Sequence, residues 1–411
     1  MADGPVREYS WAQVCARRLE RHWLAAPSQT ATPAGIVRAM CGAHAQVMQA
    51  AELSVGMRGA GTSRSDVRKA LWDDGTLVRT FGPRGTVHLL PAADLSQWTG
   101  ALGAVPSHPA LGQFLTPGQT DQIVAAIADA LRDSELTADE LNDAIVARTG
   151  AWAAEPVMPA FQTMWPRWRA AMGTAGFRGA LSFGAGRGRA STFRGPGQLL
   201  PGFRPAGAAP ALGWLLRAYL QAYGPATPAH FARWLAVPRE WASGLFDAHR
   251  GELAQVTVAG TPAWVLRSDA GDIAAEPSGI RLLPYFDSYV VAGQPRNLLF
   301  PGVASTRALA RGQAGNYPVI VIDGVVRGLW HQRRSGKKLE ITAELFQPAG
   351  ASQLEELARQ AERVGSFLQA EARLTLGTVD VRGHASARLT RKRPLVEGPL
   401  SVEGTTGIEP A

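Results

Sequence analysis

His44 and Gln46 stand two residues apart in the stretch GAHAQVMQAAELSVGMR, with one alanine between them. An imidazole ionises near neutral pH and can orient a water or take its proton, and a glutamine amide oxygen can accept a hydrogen bond from that water. Such a pair can serve a hydrolysis only if both side chains face one way. A helix turns about 100° per residue and would point them nearly opposite ways. An extended segment, or the ragged first turn of a helix, puts residues two apart on one face. The spacing therefore fits the entry to a helix rather than its interior. A plainer reading stands beside it, in which the two side chains only cap the following helix and satisfy its backbone donors.

Three further groups of residues carry charge suited to phosphates. Arg84 and His88 lie in RGTVH, and Arg187 and Arg189 lie between glycines in GAGRGRAS. Arg333, Arg334, Lys337 and Lys338 surround a Ser335-Gly336 turn in HQRRSGKKLE. A glycine-rich loop lets the backbone approach phosphates closely, and a basic hairpin suits the negative potential of a minor groove. Each has a bland counterpart: a solvated wing arginine, a satisfied core histidine, an exposed loop tip, or protective charges at a sheet edge. With 42 Lys and Arg against 34 Asp and Glu the net charge is +8. That excess favours a polyanionic partner, although an Arg-rich codon bias yields the same number. Two cysteines, Cys15 and Cys41, are too few for a disulfide framework, and no CxxC or HExxH spacing is present, so neither a metal nor a cofactor is expected.

The elements that must position these residues repeat in kind. WAQVCARRLERHWLAA, TPAGIVRAMCGA and VMQAAELSVGMR read as helices, and Ser65 is expected to cap DVRKALWDDG. A hairpin in LVRTFGPRGTVHLLP follows, turning at Gly82 to Gly85. Helices and then a hairpin is the order of a winged helix. A second unit runs from TPGQTDQIVAAIADALRD to the strand pair in ALSFGAGRGRASTFRG, with Trp152, Trp165 and Trp168 expected as core anchors. A third runs from LGWLLRAYLQAYG through TPAHFARWLA and PREWASGLFDAHRGE to LAQVTVAGTPAWVLR, turning at Gly260. Beyond residue 280 the alternation in RLLPYFDSYVVAG, PVIVIDGVVRGLW and KLEITAELF predicts the strands of a small barrel or curled sheet, with LTLGTVDVR expected to close the barrel. Asp323-Gly324 marks a tight hairpin, Asp287 is expected to hold a turn, and one helix runs through ASQLEELARQAERVGSFLQ. The predicted class is α+β: winged helices over 1–105, 106–205 and 206–278, a β-barrel over 279–385, and a disordered basic tail over 386–411. At 46% hydrophobic content, with no apolar leader and no membrane span, the chain reads as soluble and cytoplasmic.

In that order CGAHAQVMQAAEL, RGTVHLLPAADL, YGPATPAHFARWL, LLPYFDSYVVAG and VIDGVVRGLWHQRRSGKKLEITAELF resemble the winged-helix DNA glycosylases of the AlkZ and YcaQ type. The resemblance covers about residues 10 to 380. It implies three tandem winged helices and a β-barrel in a C-shaped clamp on double-stranded DNA, acting as a nucleoid-associated monomer. The implied activity is excision of bulky N7- or N3-alkylated purines, with interstrand crosslinks among them, as self-resistance to a DNA-alkylating natural product. The family's catalytic Gln-x-Gln or Gln-x-Asp pair falls on His44 and Gln46, so this chain carries a His-x-Gln form. That substitution fits either a branch with altered adduct preference or a relative in which the chemistry is changed or lost. The resemblance also implies that a barrel hairpin enters a DNA groove, and the basic residues around Ser335-Gly336 are the candidate. The alternative from another class is a non-catalytic winged-helix DNA-binding protein such as a transcription regulator.

Overall fold

Three helices open the chain: α1 over Trp11–Arg21, α2 over Pro33–Ala39 and α3 over Met48–Gly56. Their ends are written locally. Ser10 and Gln13 form a capping box on α1, and Thr32 caps α2 with Pro33 in its first turn. The next helix, Arg64–Trp72, is capped by Ser63, whose Oγ accepts from Asp66 N while Asp66 accepts from Ser63 N. The expected cap Ser65 is therefore corrected to Ser63. The reciprocal pair needs its carboxylate three residues on, and Asp66 stands at that distance only from Ser63.

The computed structural model describes residues 6–106, 112–160, 163–273 and 276–380, so the tail expected to be disordered at 386–411 lies outside the described residues. Contacts gather the mixed α+β fold into two units. Among the described residues, one comprises those within 6–68, 217–234 and 246–380, the other those within 69–216 and 235–245.

In the first unit, Leu253–Val258 and Thr261–Leu266 form a hairpin around Ala259 and Gly260, whose φ values of 48° and 76° suit a primed turn. Arg7–Tyr9 adds to this sheet as a parallel strand, a pairing across some 250 residues that no local pattern announces. Tyr9, Val14, Val256 and Val265 pack beneath it.

The same unit holds a five-stranded sheet in the order Ile280–Leu283, Val319–Ile322, Val325–Ser335, Lys338–Leu345, Glu371–Leu376. Four strands are joined antiparallel, one through the predicted Asp323-Gly324 turn. The fifth pairs parallel because the helix Ala351–Phe367 intervenes as a crossover. Leu357, Ala361, Val364 and Phe367 of that helix pack on Ile280, Leu282, Trp330 and Ile341. The sheet is an open half-barrel among the described residues rather than the closed barrel expected, since the helix covers apolar surface that strand closure would otherwise bury.

The expected strand in LLPYFDSYVVAG also ends early. After Leu283 the chain turns, and Ser288–Ala292 is a short helix because Asp287 caps it by accepting from Tyr289 N.

In the second unit, Leu77–Phe81 pairs with Val87–Pro91, and Ser182–Phe183 with Thr192–Arg194. Helices Leu95–Gly103, Pro117–Ala130, Ala138–Thr149 and Met172–Phe177 accompany them. Thr116 and Thr137 head capping boxes with Gln119 and Glu140. Trp168 is fully buried and donates from its indole to Asn142, an anchor of the expected kind.

Candidate functional site

Helix α2 stops at Met40 in a Schellman arrangement. Cys41 and Gly42 take left-handed φ of 52° and 91°, and their N–H groups return to the carbonyls of Arg38 and Val37. The reversal delivers an extended Ala43–His44, and α3 begins only at Met48. His44 and Gln46 thus lie in the entry segment their spacing favours. The capping position of α3 is Val47, with no side-chain capping bond. His44 is 8% exposed and Gln46 partly exposed, an arrangement in which the amide can meet solvent or substrate while the imidazole is held from behind.

What holds the segment comes from far along the sequence. Phe286 lies against His44 as a stacked ring, 4.6 Å between centroids and 25° between planes. Ser288 donates from Oγ to the Gly42 carbonyl at 2.9 Å, and Tyr223 donates from its hydroxyl to the Met40 carbonyl at 2.6 Å. Between Phe286 and Ser288, Asp287 is fully buried and takes both guanidinium arms of Arg58 at 2.8 Å. It also accepts from Ser54 in α3 at 2.7 Å, so the turn-holding role expected of Asp287 is joined by a second one. Three consecutive residues therefore bind the histidine, the helix that follows it and the loop that precedes it.

Charge in this region is fully buried. Burial alone pushes the Asp287 carboxyl up, but the charge and hydrogen bonds of Arg58, with those of Ser54 and Tyr289, outweigh it and hold it below the usual carboxylate range. His22, wholly buried, meets the Ala222 carbonyl through Nε2 at 3.2 Å. Burial and the nearby Arg58 charge lower its pKa to about 3, so it is neutral. Arg18 donates to the carbonyls of Gln294 and Pro225 at 2.7 and 3.1 Å, tying α1 to the segments beside the site.

The candidate phosphate contacts fall into three places. Arg333, Arg334, Lys337 and Lys338 are exposed on one hairpin whose tip is Gly336, with φ of 59°. Arg333 is paired with Glu340 at 2.7 Å, and Arg334 donates to the carbonyls of Gly336 and Leu368. Lys337 and Lys338 have no ion pair among the described residues. Arg84 sits at the first wing turn with φ of 63°. His88, in the strand after it, is buried, with Nδ1 2.9 Å from the Thr86 carbonyl, and its ring lies so close to Gly82 that a side chain there would strike it. Burial and the Arg84 charge lower the His88 pKa to about 3. Arg187 and Arg189 are exposed in one loop, where Arg187 forks onto Glu140 and the Glu135 carbonyl.

Spacing did not reveal Phe286, Ser288 or Tyr223. Asp287 alone stood out, and its charged partner lies 229 residues earlier. Among the described residues no three His, Cys, Asp or Glu side chains are grouped as metal ligands, and no helix is long and apolar enough to cross a membrane.

Comparison with known proteins places this geometry in context. A family model described as DNA glycosylase AlkZ-like matches residues 37–367, a span that contains the His44 segment and every residue holding it. An interstrand DNA cross-link repair glycosylase from Streptomyces sahachiroi is 32% identical over 341 residues, 78% of this chain and 87% of the relative. The solved structure of the DNA glycosylase AlkZ of the same organism superimposes with a TM-score of 0.76 at 29% identity, covering 90% of this chain and all of the other.

Proposed function

Because the chain belongs to the AlkZ-like DNA glycosylase family, we propose that it hydrolyses the N-glycosidic bond of bulky N7- or N3-alkylated purines in double-stranded DNA, with His44 and Gln46 as its catalytic residues. The observation that carries this reading is the non-helical His44-Ala45-Gln46 segment, extended at His44, delivered by the end of α2 and held by residues 286–288.

Alkylation at N7 or N3 makes the purine cationic and hence a good leaving group without an acid. The C1′–N bond breaks with its electron pair passing to the purine, which leaves as a neutral base, while positive charge develops on the sugar as in glycoside hydrolysis. A water hydrogen-bonded to the Gln46 amide oxygen adds to C1′, and its proton passes to the His44 imidazole or to solvent. A weak base suffices because the leaving group is already activated. No lysine stands in the segment, so the proposed reaction is monofunctional and ends in an abasic site.

The same proposal reads residues 1–105, 106–205 and 206–278 as winged helices and 279–385 as the barrel-like domain of a monomer. The order of helices and hairpins supports it. Lys337 and Lys338, with Arg333 and Arg334, are the proposed groove contacts, and Arg84, Arg189 and Arg187 the proposed phosphate contacts. His88, expected among these contacts, is buried in the strand after Arg84 and packs beneath that turn rather than reaching DNA. The relative's name extends the proposed substrates to interstrand crosslinks, and such lesions in a producer of an alkylating metabolite make self-resistance the proposed role.

The test is single-turnover excision on an end-labelled duplex carrying 7-methylguanine or a bulky intercalating N7-guanine adduct, with alkali to reveal abasic sites. Enzyme-dependent breaks that vanish with Gln46→Ala support the reading. Tight, salt-sensitive binding with no cleavage of either duplex overturns it in favour of a non-catalytic DNA-binding protein.

A further inference from the structure

We propose that Phe286 is a positioning residue for His44: a rigid aromatic plane, locked in an unusual backbone conformation, that sets the orientation in which the imidazole is presented. This rests on the catalytic reading of His44 given above. The stack of 4.6 Å and 25° is a near-parallel contact, which restricts rotation of the imidazole about its χ2 bond as a flexible aliphatic neighbour does not.

Phe286 itself is fixed. Its φ of 57° is in the left-handed region, rare for a bulky side chain and costing about 1–2 kcal/mol, so the surroundings must impose it. They do so from both sides. Phe286 N donates to the Gly315 carbonyl at 2.9 Å, and the next residue is anchored by the Arg58 ion pair. Gly315, at φ 98°, approaches so closely that a Cβ there would lie 2.7 Å from Val291 and 3.1 Å from the Phe286 ring. Strain held this firmly beside a reactive group marks a preorganised site. Phe286 is only partly buried, so its replacement leaves the main core intact.

The experiment compares wild type, Phe286→Leu, Phe286→Tyr and His44→Ala on the adducted duplex. It records single-turnover rate and duplex affinity separately, with proton spectra of the histidine-labelled protein. Phe286→Leu keeps apolar volume but loses the plane. It is expected to slow excision about tenfold or more, as misorientation of a general base does, with affinity unchanged. The His44 ring protons should move downfield as the ring current disappears, and Phe286→Tyr should restore rate and shift. Slow excision by His44→Ala with a wild-type rate in Phe286→Leu overturns the positioning role alone. Wild-type excision by His44→Ala overturns the catalytic reading of His44 and this inference with it. A fall in affinity matching the fall in rate, or no rescue by tyrosine, shows a merely structural role and also overturns it.

Discussion

Replacing Asp287 by asparagine keeps the shape of the side chain and removes its charge. Four donors converge on the carboxylate: the two Arg58 arms and the Ser54 hydroxyl, all within 2.8 Å, and Tyr289 N at 2.9 Å. An amide offers only one oxygen to them and turns an NH2 toward the rest. Arg58 is 0% exposed, so its guanidinium is left buried without a counter-ion. Breaking a buried pair in this way costs about 3–5 kcal/mol, a large share of a stability of about 5–15 kcal/mol. At about 2–4 °C per kcal/mol for a domain of 150–250 residues, the midpoint should fall by roughly 6–20 °C. The assay is urea and thermal unfolding of Asp287→Asn, Arg58→Met and the double variant Arg58→Met/Asp287→Asn. Each single variant should be strongly destabilised. The double should lose much less than their sum, because no buried charge is left alone. A cost below about 1 kcal/mol for Asp287→Asn, or a double variant as poor as the two losses added, refutes the reasoning.

Two other outcomes follow from the charges described. His22 and His88 have folded pKa values of about 3 against about 6.5 when unfolded, so between those values only the unfolded chain takes up the protons. Stability is then complete above pH 6.5 and falls with pH, by about 2 kcal/mol per histidine at pH 5. Asp287 adds to the loss only below the ordinary carboxylate range, its folded pKa being depressed. Thermal midpoints from pH 7.5 to 5 test this, and a flat or rising profile toward acid refutes it. Replacing both Lys337 and Lys338 by alanine should weaken duplex binding evenly across sequences and reduce the slope of log affinity against log salt by about 2, close to 0.9 per lost phosphate contact. Arg333→Ala should change it less, since Glu340 already pairs with that charge. An Arg333→Ala effect equal to that of the double lysine variant, or an unchanged slope in the lysine variant, overturns the hairpin assignment.

Where structure is decided by a few consecutive residues, the sequence shows it. Asp323-Gly324 adopts φ of 49° and 81°, as the hairpin signal requires, and Thr116 with Gln119 or Thr137 with Glu140 close capping boxes readable from their spacing. The same rule misplaced the cap at Ser65, because several serines compete there and only the Asp66 carboxylate decides among them. Arg187, a proposed phosphate contact, also pairs with Glu140, which lies 47 residues away. No local pattern reports that pairing. The half-barrel was misread as closed for a related reason: alternation gives the faces of strands, but not whether a helix or another strand will cover them.

The candidate site divides along the same line. The two-residue spacing of His44 and Gln46 pointed to the entry of a helix rather than its interior, and both residues lie ahead of α3. What makes that segment rigid was not legible. Asp287 was expected to hold a turn, but it caps a helix and is reused: its carboxylate clamps Arg58, and the following Ser288 holds the Gly42 carbonyl 246 residues back. A short non-helical segment gains little order from its own residues alone. Building the proposed catalytic pair on one therefore demands anchors from elsewhere in the fold. Residues 286–288 supply them through a ring, a charge and a hydroxyl in succession, so a disturbance at any one of the three should be felt at His44.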